Sequence, residues 1–342
     1  DLGDPIDGVW IDGYYFFTDG EYLFHTDIDS EESIDALQYA TAEFSPDITY
    51  AVAKTQDNKV MAFGRYSIEY FVNQATDNFA FLRLPSRAIT AGIVGTHAKT
   101  ELSGLWFILG GRKGEGIAVH GVSVGSSQKV SSRAVDIVIG NYTEDELRGA
   151  VLESRSEDNQ DYLVVHLPND VLEFNATAVS KVGIDSAWTI KKTGTGDVSW
   201  RSIAWRAKHG IFEPRLGKWV FGDKIDSRLG ILDETVGTQY GEIAEWLLFT
   251  PFIYLESMSI DEFSVEVVAG HTFEPDASVA LSLTYDGITY SKEYFVEYGQ
   301  SLEYRNRFKV RTLGYVSNWV GIKMRGATRS RMAFSKAELD FG

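Results

Sequence analysis

Along Lys59–Asn73 the chain reads KVMAFGRYSIEYFVN, a strand, a Gly-Arg turn and a second strand, with apolar residues alternating across both arms. A period of two marks a half-buried strand, and the aromatic and β-branched residues suit a pleated surface. Val60, Ala62, Tyr70 and Phe71 take the packed positions. No crossover helix fits between the arms, so they pair antiparallel, with Gly64 permitting the turn.

The same texture recurs. Gly8–Asp27 holds Asp12-Gly13 and Asp19-Gly20 on either side of the aromatic strand Tyr14–Phe17, and three strands joined by such dipeptides make most of a four-stranded unit. Ser30–Gln38 predicts a short helix or an irregular connector, with Ser30 as the cap. A second unit spans Ile48–Asn73. A third runs from Ala91 to Val130, with strands near Gly92–Thr96, Leu105–Leu109 and Ile117–Val122; Gly110, Gly111, Gly114 and Gly116 are expected in its later turn. Thr143-Glu144-Asp145-Glu146 fits a capping box opening a short helix. A fourth unit covers Gly149–Thr189 and a fifth Trp200–Asp233. Units of three or four short strands at roughly 40-residue spacing fit a β-propeller of about five or six blades better than a sandwich. A blade cannot bury both faces alone, and radial stacking does so. After Glu242 the strands lengthen, as in EFSVEVVAG and RFKVRTLG. The expected organisation is all-β: a propeller body over 1–240 and a C-terminal β-sandwich-like module over 241–342.

Composition narrows the functional classes. The 342 residues are 44% hydrophobic and 13% aromatic, ample for a packed core. No run approaches the roughly 18 apolar residues of a membrane span, and Asp1-Leu2-Gly3 does not look like a signal peptide. There is no cysteine, which removes disulfides, thiolate zinc sites and a cysteine nucleophile. The net charge of −17 argues against a free DNA-binding protein. Its distribution is uneven: residues 1–50 hold 13 acidic side chains and no Lys or Arg, while residues 301–342 hold nine basic and three acidic ones, a local +6. Beside the reading as a solvated acidic surface and a basic edge stand two sharper ones. Opposite charges could meet between subunits, or acid could line a conduit along which DNA slides without sticking.

Each candidate for chemistry has a plainer reading. His25, His97, His120, His166, His209 and His271 include no pair within four residues of each other, so no local metal-ligand pair exists; His120 and His166 belong to apolar strands and read as satisfied core or half-buried residues. Asp27, Asp29, Glu31 and Asp35 have a calcium-like spacing, but an EF-hand loop wants Gly and Glu where Glu32 and Gln38 stand. Gly110–Gly116 ends in a β-type segment and is a turn, since a P-loop must open a helix. Asp12, Asp19, Glu69, Asp136, Glu153, Asp223 and Asp226 lie near strand ends and supply carboxylates for a propeller glycosidase, although Gly196-Asp197-Val198-Ser199-Trp200 does not match an Asp-box and no Gly-x-Ser-x-Gly elbow occurs. Trp10, Trp106, Trp188, Trp200, Trp205, Trp219, Trp246 and Trp319 mostly fall in apolar strands, where core packing precedes sugar binding.

VMAFGRYSIEYFVN, the following NFAFLRLPSRAITAGIVGTHA, and WIDGYYFFTDGEYLFHT, LQYATAEF, GVSVGSSQKVSSRAVD and RFKVRTLGYVSNWVGIKMRG resemble the packaged-DNA stabilization proteins of short-tailed phages, a tail hub or nozzle family. The resemblance covers essentially the whole chain. Family members carry additional N-terminal sequence, so a leading β segment is expected beyond this chain. The resemblance implies a structural role without catalytic residues, cofactors or metals: six copies forming a tube beneath the portal–adaptor ring, closed by the tail needle and surrounded by tailspikes. DNA would be retained and later leave through the channel without sequence-specific binding. Arg305, Arg307 and Arg311 are the expected basic contacts of a heterologous ring. The alternative is a carbohydrate-active propeller, either glycosidase or lectin-like adhesin; a host-encoded interaction scaffold is third.

Overall fold

The computed structural model describes residues 2–76, 78–193, 203–268, 272, 277–303 and 306–342. His271, Trp200, Arg305 and the Gly196–Trp200 stretch lie outside the described residues. Packing divides the chain into two units, residues 1–191 and 192–342.

The first unit is four antiparallel meanders. The first sheet comprises Asp7–Ile11, Tyr14–Thr18, Tyr22–His25 and Tyr39–Thr41; the second Thr49–Lys54, Val60–Gly64, Ile68–Asn73 and Phe81–Arg83. The third holds Lys99–Leu102, Leu105–Gly111, Ala118–Ser123 and Ser126–Lys129, with Gly92–Ile93 also on Leu105–Gly111. The fourth holds Val151–Glu157, Gln160–His166, Val171–Asn175 and Trp188–Lys191. Two-residue hairpins with both φ positive join the first two strands at Asp12-Gly13, Ser103-Gly104 and Asp158-Asn159, matching the twist of the flanking strands. The last strand of each sheet has only three or four residues.

Alternation decides which core each residue enters. In the second sheet Val60, Ala62 and Phe71 pack with Ile11, Phe16 and Leu23 of the first. Their neighbours Met61, Phe63, Ile68 and Tyr70 enter a larger core with Phe107 and Leu109 of the third sheet and Leu163, Val165 and Phe174 of the fourth. Both faces of the second sheet are therefore dry, as stacked blades require. The close fit is enforced at Gly110, where a Cβ would lie 1.8 Å from the Gly92 carbonyl oxygen. Gly110 and Gly111 thus belong to a strand and not to the expected turn, which starts at Arg112. Gly64 has no positive φ either; a Cβ there would sit 3.0 Å from the Asp47 carboxylate and the Ser67 hydroxyl. Its role is space rather than turn geometry.

Between the third and fourth sheets two short helices form, Arg133–Ile139 capped by Ser132 and Glu144–Leu147 capped by Thr143. The expected capping box is complete: Glu146 N–H donates to the Thr143 hydroxyl, and the Glu146 carboxylate accepts from Thr143 N–H at 2.8 Å. Ser30–Gln38 is the irregular connector, with Ser30 Oγ accepting from Ser33 N–H at 3.1 Å outside any helix.

The second unit begins with a three-stranded sheet, Ala207–Glu213, Lys218–Asp223 and Leu229–Ile231. Two further sheets share one core. One runs Glu245–Phe249, Trp319–Ala327, Ser278–Thr284, Tyr294–Glu297; the other runs Asn306–Val316, Met258–Val267, Phe334–Phe341. Val279, Leu281, Ile322 and Met324 meet Phe263, Val265, Phe308 and Val310, which makes this a β-sandwich. Tyr298 is fully buried in it, its hydroxyl accepting from Ala333 N–H at 2.6 Å.

Candidate functional site

The carboxylates singled out in the sequence are dispersed over different sheets, and each is engaged. Asp12 accepts from Asn58 Nδ2 at 2.7 Å and Asn73 Nδ2 at 3.1 Å, tying the first sheet to the second. Asp19 organises its own turn, accepting from the N–H groups of Gly3, Glu21 and Tyr22; burial pushes its carboxyl up, but these bonds prevail and hold it below the usual range. Glu69 is buried, accepts from Phe44 N–H at 3.1 Å and pairs with Arg83 at 3.3 Å. Burial prevails there and pushes its carboxyl up. Asp136 pairs with Lys129 at 2.6 Å, and Glu153 with His166 at 3.3 Å. Of the seven, the structure brings together Asp223 and Asp226, which share Arg206 and contact Arg228, with Tyr240 stacked on both guanidiniums. Arg206 holds Asp223 well below the carboxylate range, and the cluster is an ion-pair network.

Sequence reasoning missed the residues that clasp one sheet to the next. Asp7 accepts from Val52 N–H and from Lys99 Nζ, both at 3.0 Å, and so touches three sheets. Gln56 donates to Glu101 at 2.7 Å, and Ser103 to Asp161 at 2.6 Å. Arg65 of the second sheet forms a two-pronged pair with Glu144 at 2.7 and 2.9 Å. In the fourth sheet Arg155 and Lys191 converge on buried Glu173 at 2.7 and 2.9 Å. Burial pushes Glu173 up, yet the two cations outweigh it and hold the carboxyl below its ordinary value. A faint signal existed in the turn positions of Gln56 and Ser103, but the partner lies one sheet away.

The metal and sugar candidates resolve similarly. Among the described residues no group of three His, Asp or Glu side chains is placed to hold a metal ion. Asp27 accepts from Ser33 Oγ, and Asp35 from Leu37 N–H at 2.9 Å; both serve local turns. His25 bridges sheets, its Nε2 accepting from Ala80 N–H at 3.0 Å and its Nδ1 lying 2.8 Å from the Thr26 carbonyl. Burial pushes its pKa down, which favours the neutral ring that accepts this bond. His97 is exposed, and His209 has φ of 56° at a bulge. His166 is buried against Glu153, but His120 departs from the satisfied-core expectation: its Nδ1 is buried without a hydrogen-bond partner. Trp10 and Trp319 depart from core packing, being 55% and 51% exposed, because alternation turns them outward. Trp10 carries Lys54 Nζ 5.5 Å above its ring.

The basic C-terminal strand is neutralised inside its own sheet. Arg307 pairs with Glu338 at 2.6 Å; Lys309 and Arg311 both reach Glu262, at 2.6 and 3.0 Å. No helix among the described residues is long and apolar enough to cross a membrane.

Stacked four-stranded meanders, a C-terminal sandwich and carboxylates used as clasps define a structural β-propeller protein. The chain belongs to the bacteriophage P22 Gp10 family: the family's β-propeller model matches residues 1–237 and its β-sandwich model residues 245–342. A curated relative, the tail hub protein gp10 of Salmonella phage P22, is 28% identical over 99% of this chain and 71% of its own length. The chain is accordingly a tail-hub structural protein, a component of the phage particle. Among solved structures, PorZ of Porphyromonas gingivalis aligns with 12% identity and a TM-score of 0.36 over 75% of this chain and 32% of its own. Virginiamycin B lyase from Staphylococcus aureus aligns with 10% identity and a TM-score of 0.34 over 70% and 72%. Likenesses this loose add nothing to the assignment.

Proposed function

We propose that this chain is the wall of a tail nozzle, six copies forming a ring under the portal–adaptor assembly. It retains packaged DNA, seats the needle and tailspikes, and gives the DNA its exit path. The reading rests chiefly on the family matches, which together span nearly the whole chain, and on the tail-hub relative. We place the division between body and module near residue 240, supported by match ends at 237 and 245. The work is closure and not bond-making, in keeping with carboxylates committed to ion pairs and sheet-to-sheet bonds. An N-terminal stretch with 13 acidic side chains and no Lys or Arg would repel phosphates if it faced the channel. The test is addition of the purified protein to DNA-filled particles that have portal and adaptor but no hub. Expected is stoichiometric binding with DNA leakage stopped; particles that still leak, together with turnover of an oligosaccharide by the free protein, would return the assignment to a carbohydrate-active propeller.

A further inference from the structure

His25 fastens the first sheet to the second through a ring whose tautomer its partners fix. It ends the strand Tyr22–His25 and is 2% exposed. On the side of the second sheet, Ala80 N–H donates to its Nε2 at 3.0 Å, one residue before the strand Phe81–Arg83. Nε2 is therefore the nitrogen without a hydrogen, and Nδ1–H donates to the Thr26 carbonyl oxygen at 2.8 Å. The rings of Tyr14, Phe79 and Phe81 stand around the imidazole, with centroids 5.1, 5.1 and 5.6 Å away. Phe81 carries the contact on into the core that the two sheets share, packing edge-on against Phe16.

Two other side-chain links between these sheets use the carboxylates of Asp7 and Asp12 as acceptors. Imidazole differs from a carboxylate in changing its charge between about pH 5 and 8. A proton on Nε2 turns the acceptor into a donor, setting N–H against N–H in a site closed to solvent and placing a charge among aromatic rings. Burial pushes the His25 pKa down, and the Thr26 carbonyl and the Asp27 charge pull the other way without prevailing. Tyr14 is a further titratable side chain against the ring; Phe79, Ala80 and Phe81, which face it from the second sheet, have none. Because the folded value lies below the ordinary one, the fastening is complete above the unfolded pKa and is lost as pH falls through the folded one.

We propose that His25 is an acid-responsive release between the first and second sheets: a proton on Nε2 ends its bond to Ala80 N–H, and the first sheet parts from the second. Parting uncovers the apolar face that Ile11, Phe16 and Phe71 share, which gives the chain a second form favoured by acid. The inference concerns two neighbouring sheets and does not depend on the tail-hub reading.

The test follows amide hydrogen exchange of the intact chain by nuclear magnetic resonance from about pH 7.5 to about pH 5, as protection relative to an unfolded peptide at each pH. Ala80 N–H reports the His25 bond, and Val52 N–H reports the Asp7 bond across the same joint; amides of the fourth sheet are the reference. Expected in the wild type is a loss of protection at Ala80 and Val52 of up to about ten-fold for each pH unit below about 6.5, with the fourth sheet unchanged. His25→Gln keeps a donor and an acceptor but does not titrate, so protection at both amides should be flat over this range. Ring nitrogen shifts of the histidine-labelled wild type, assigned through proximity to Ala80, give a second reading. They should show Nε2 bare at neutral pH and a ring that titrates where Ala80 protection is lost. Ala80 protection that holds while the ring titrates overturns the proposal, as does a ring that stays neutral throughout. Equal acid loss in His25→Gln, or loss shared by the fourth sheet, overturns it too. Should His25→Gln fail to fold, the wild-type ring and amide titrations decide the matter.

Discussion

Two strands show how differently the two parts of this chain meet water. Val60–Gly64 buries all five of its residues, whereas Asn306–Val316 buries Phe308, Val310, Leu313 and Val316 and turns Arg307, Lys309 and Arg311 outward. The first strand has a sheet against each face; the second has a core on one face and solvent on the other. Charge follows the same division. Among the stacked sheets carboxylates meet backbone N–H groups, amides and buried guanidiniums between neighbours. On the sandwich sheet that carries Asn306–Val316 they meet Lys and Arg at the surface, where ion pairs contribute little. Similar residue types therefore carry very different energetic weight, set by what lies over them.

Removing a side chain from the doubly covered sheet should have the largest effect. Phe63→Ala is expected to cost about 4 kcal/mol in urea unfolding; a loss near that of an exposed site would break the contrast. Glu173→Gln comes next, at about 3 kcal/mol, because Arg155 and Lys191 lose their shared counter-charge. Its pH signature has a definite sign. The folded carboxyl lies below its ordinary value, so its stabilisation is present above the unfolded pKa and is lost as pH falls through the folded one. The gap between wild type and Glu173→Gln should thus narrow on acidification. Asp7→Ala, which leaves the buried Val52 N–H without its acceptor, is expected to cost about 2 kcal/mol.

Glu69 sharpens the comparison because it is the same residue type with the opposite sign. Its folded pKa is raised by burial, so its contribution is full below the unfolded pKa and is lost as pH rises through the folded one. Stability of Glu69→Gln relative to wild type should therefore fall on acidification, as measured by melting temperature between pH 4 and 7, an estimated window around the ordinary glutamate value. The smallest effect is expected at Glu262→Gln on the sandwich surface, with no measurable change in urea midpoint despite its two cationic partners. A large shift there would show that the surface lattice carries weight after all.

Much of this architecture was legible in the chain. Asp12-Gly13 announced its hairpin because that turn needs two positive φ angles, and Thr143 with Glu146 announced a helix start because a capping box is local chemistry. The outer strands Tyr39–Thr41, Phe81–Arg83 and Ser126–Lys129 were not read as strands, since three or four residues are too few to display a period. The strand role of Gly110 was hidden because its cause is Gly92, a neighbour 18 positions earlier that pairing alone brings into contact. The charge clusters were hidden for a related reason. Glu173 is explained by Arg155, 18 positions earlier and two strands over, and by Lys191, 18 positions later on the adjacent strand; likewise a count of basic residues in the last 42 positions overstated a surface that its own sheet neutralises. Asp223 and Asp226 were legible as neighbours but not as neighbours already claimed by Arg206.

The brevity of the outermost strands carries a further consequence. A chain built almost wholly of sheets, synthesised in quantity, is exposed to stray pairing in which one copy's free rim templates another's. Three or four residues present too few rungs for a foreign strand to hold, so along this edge newly made copies of these meanders can crowd together without zippering into fibres.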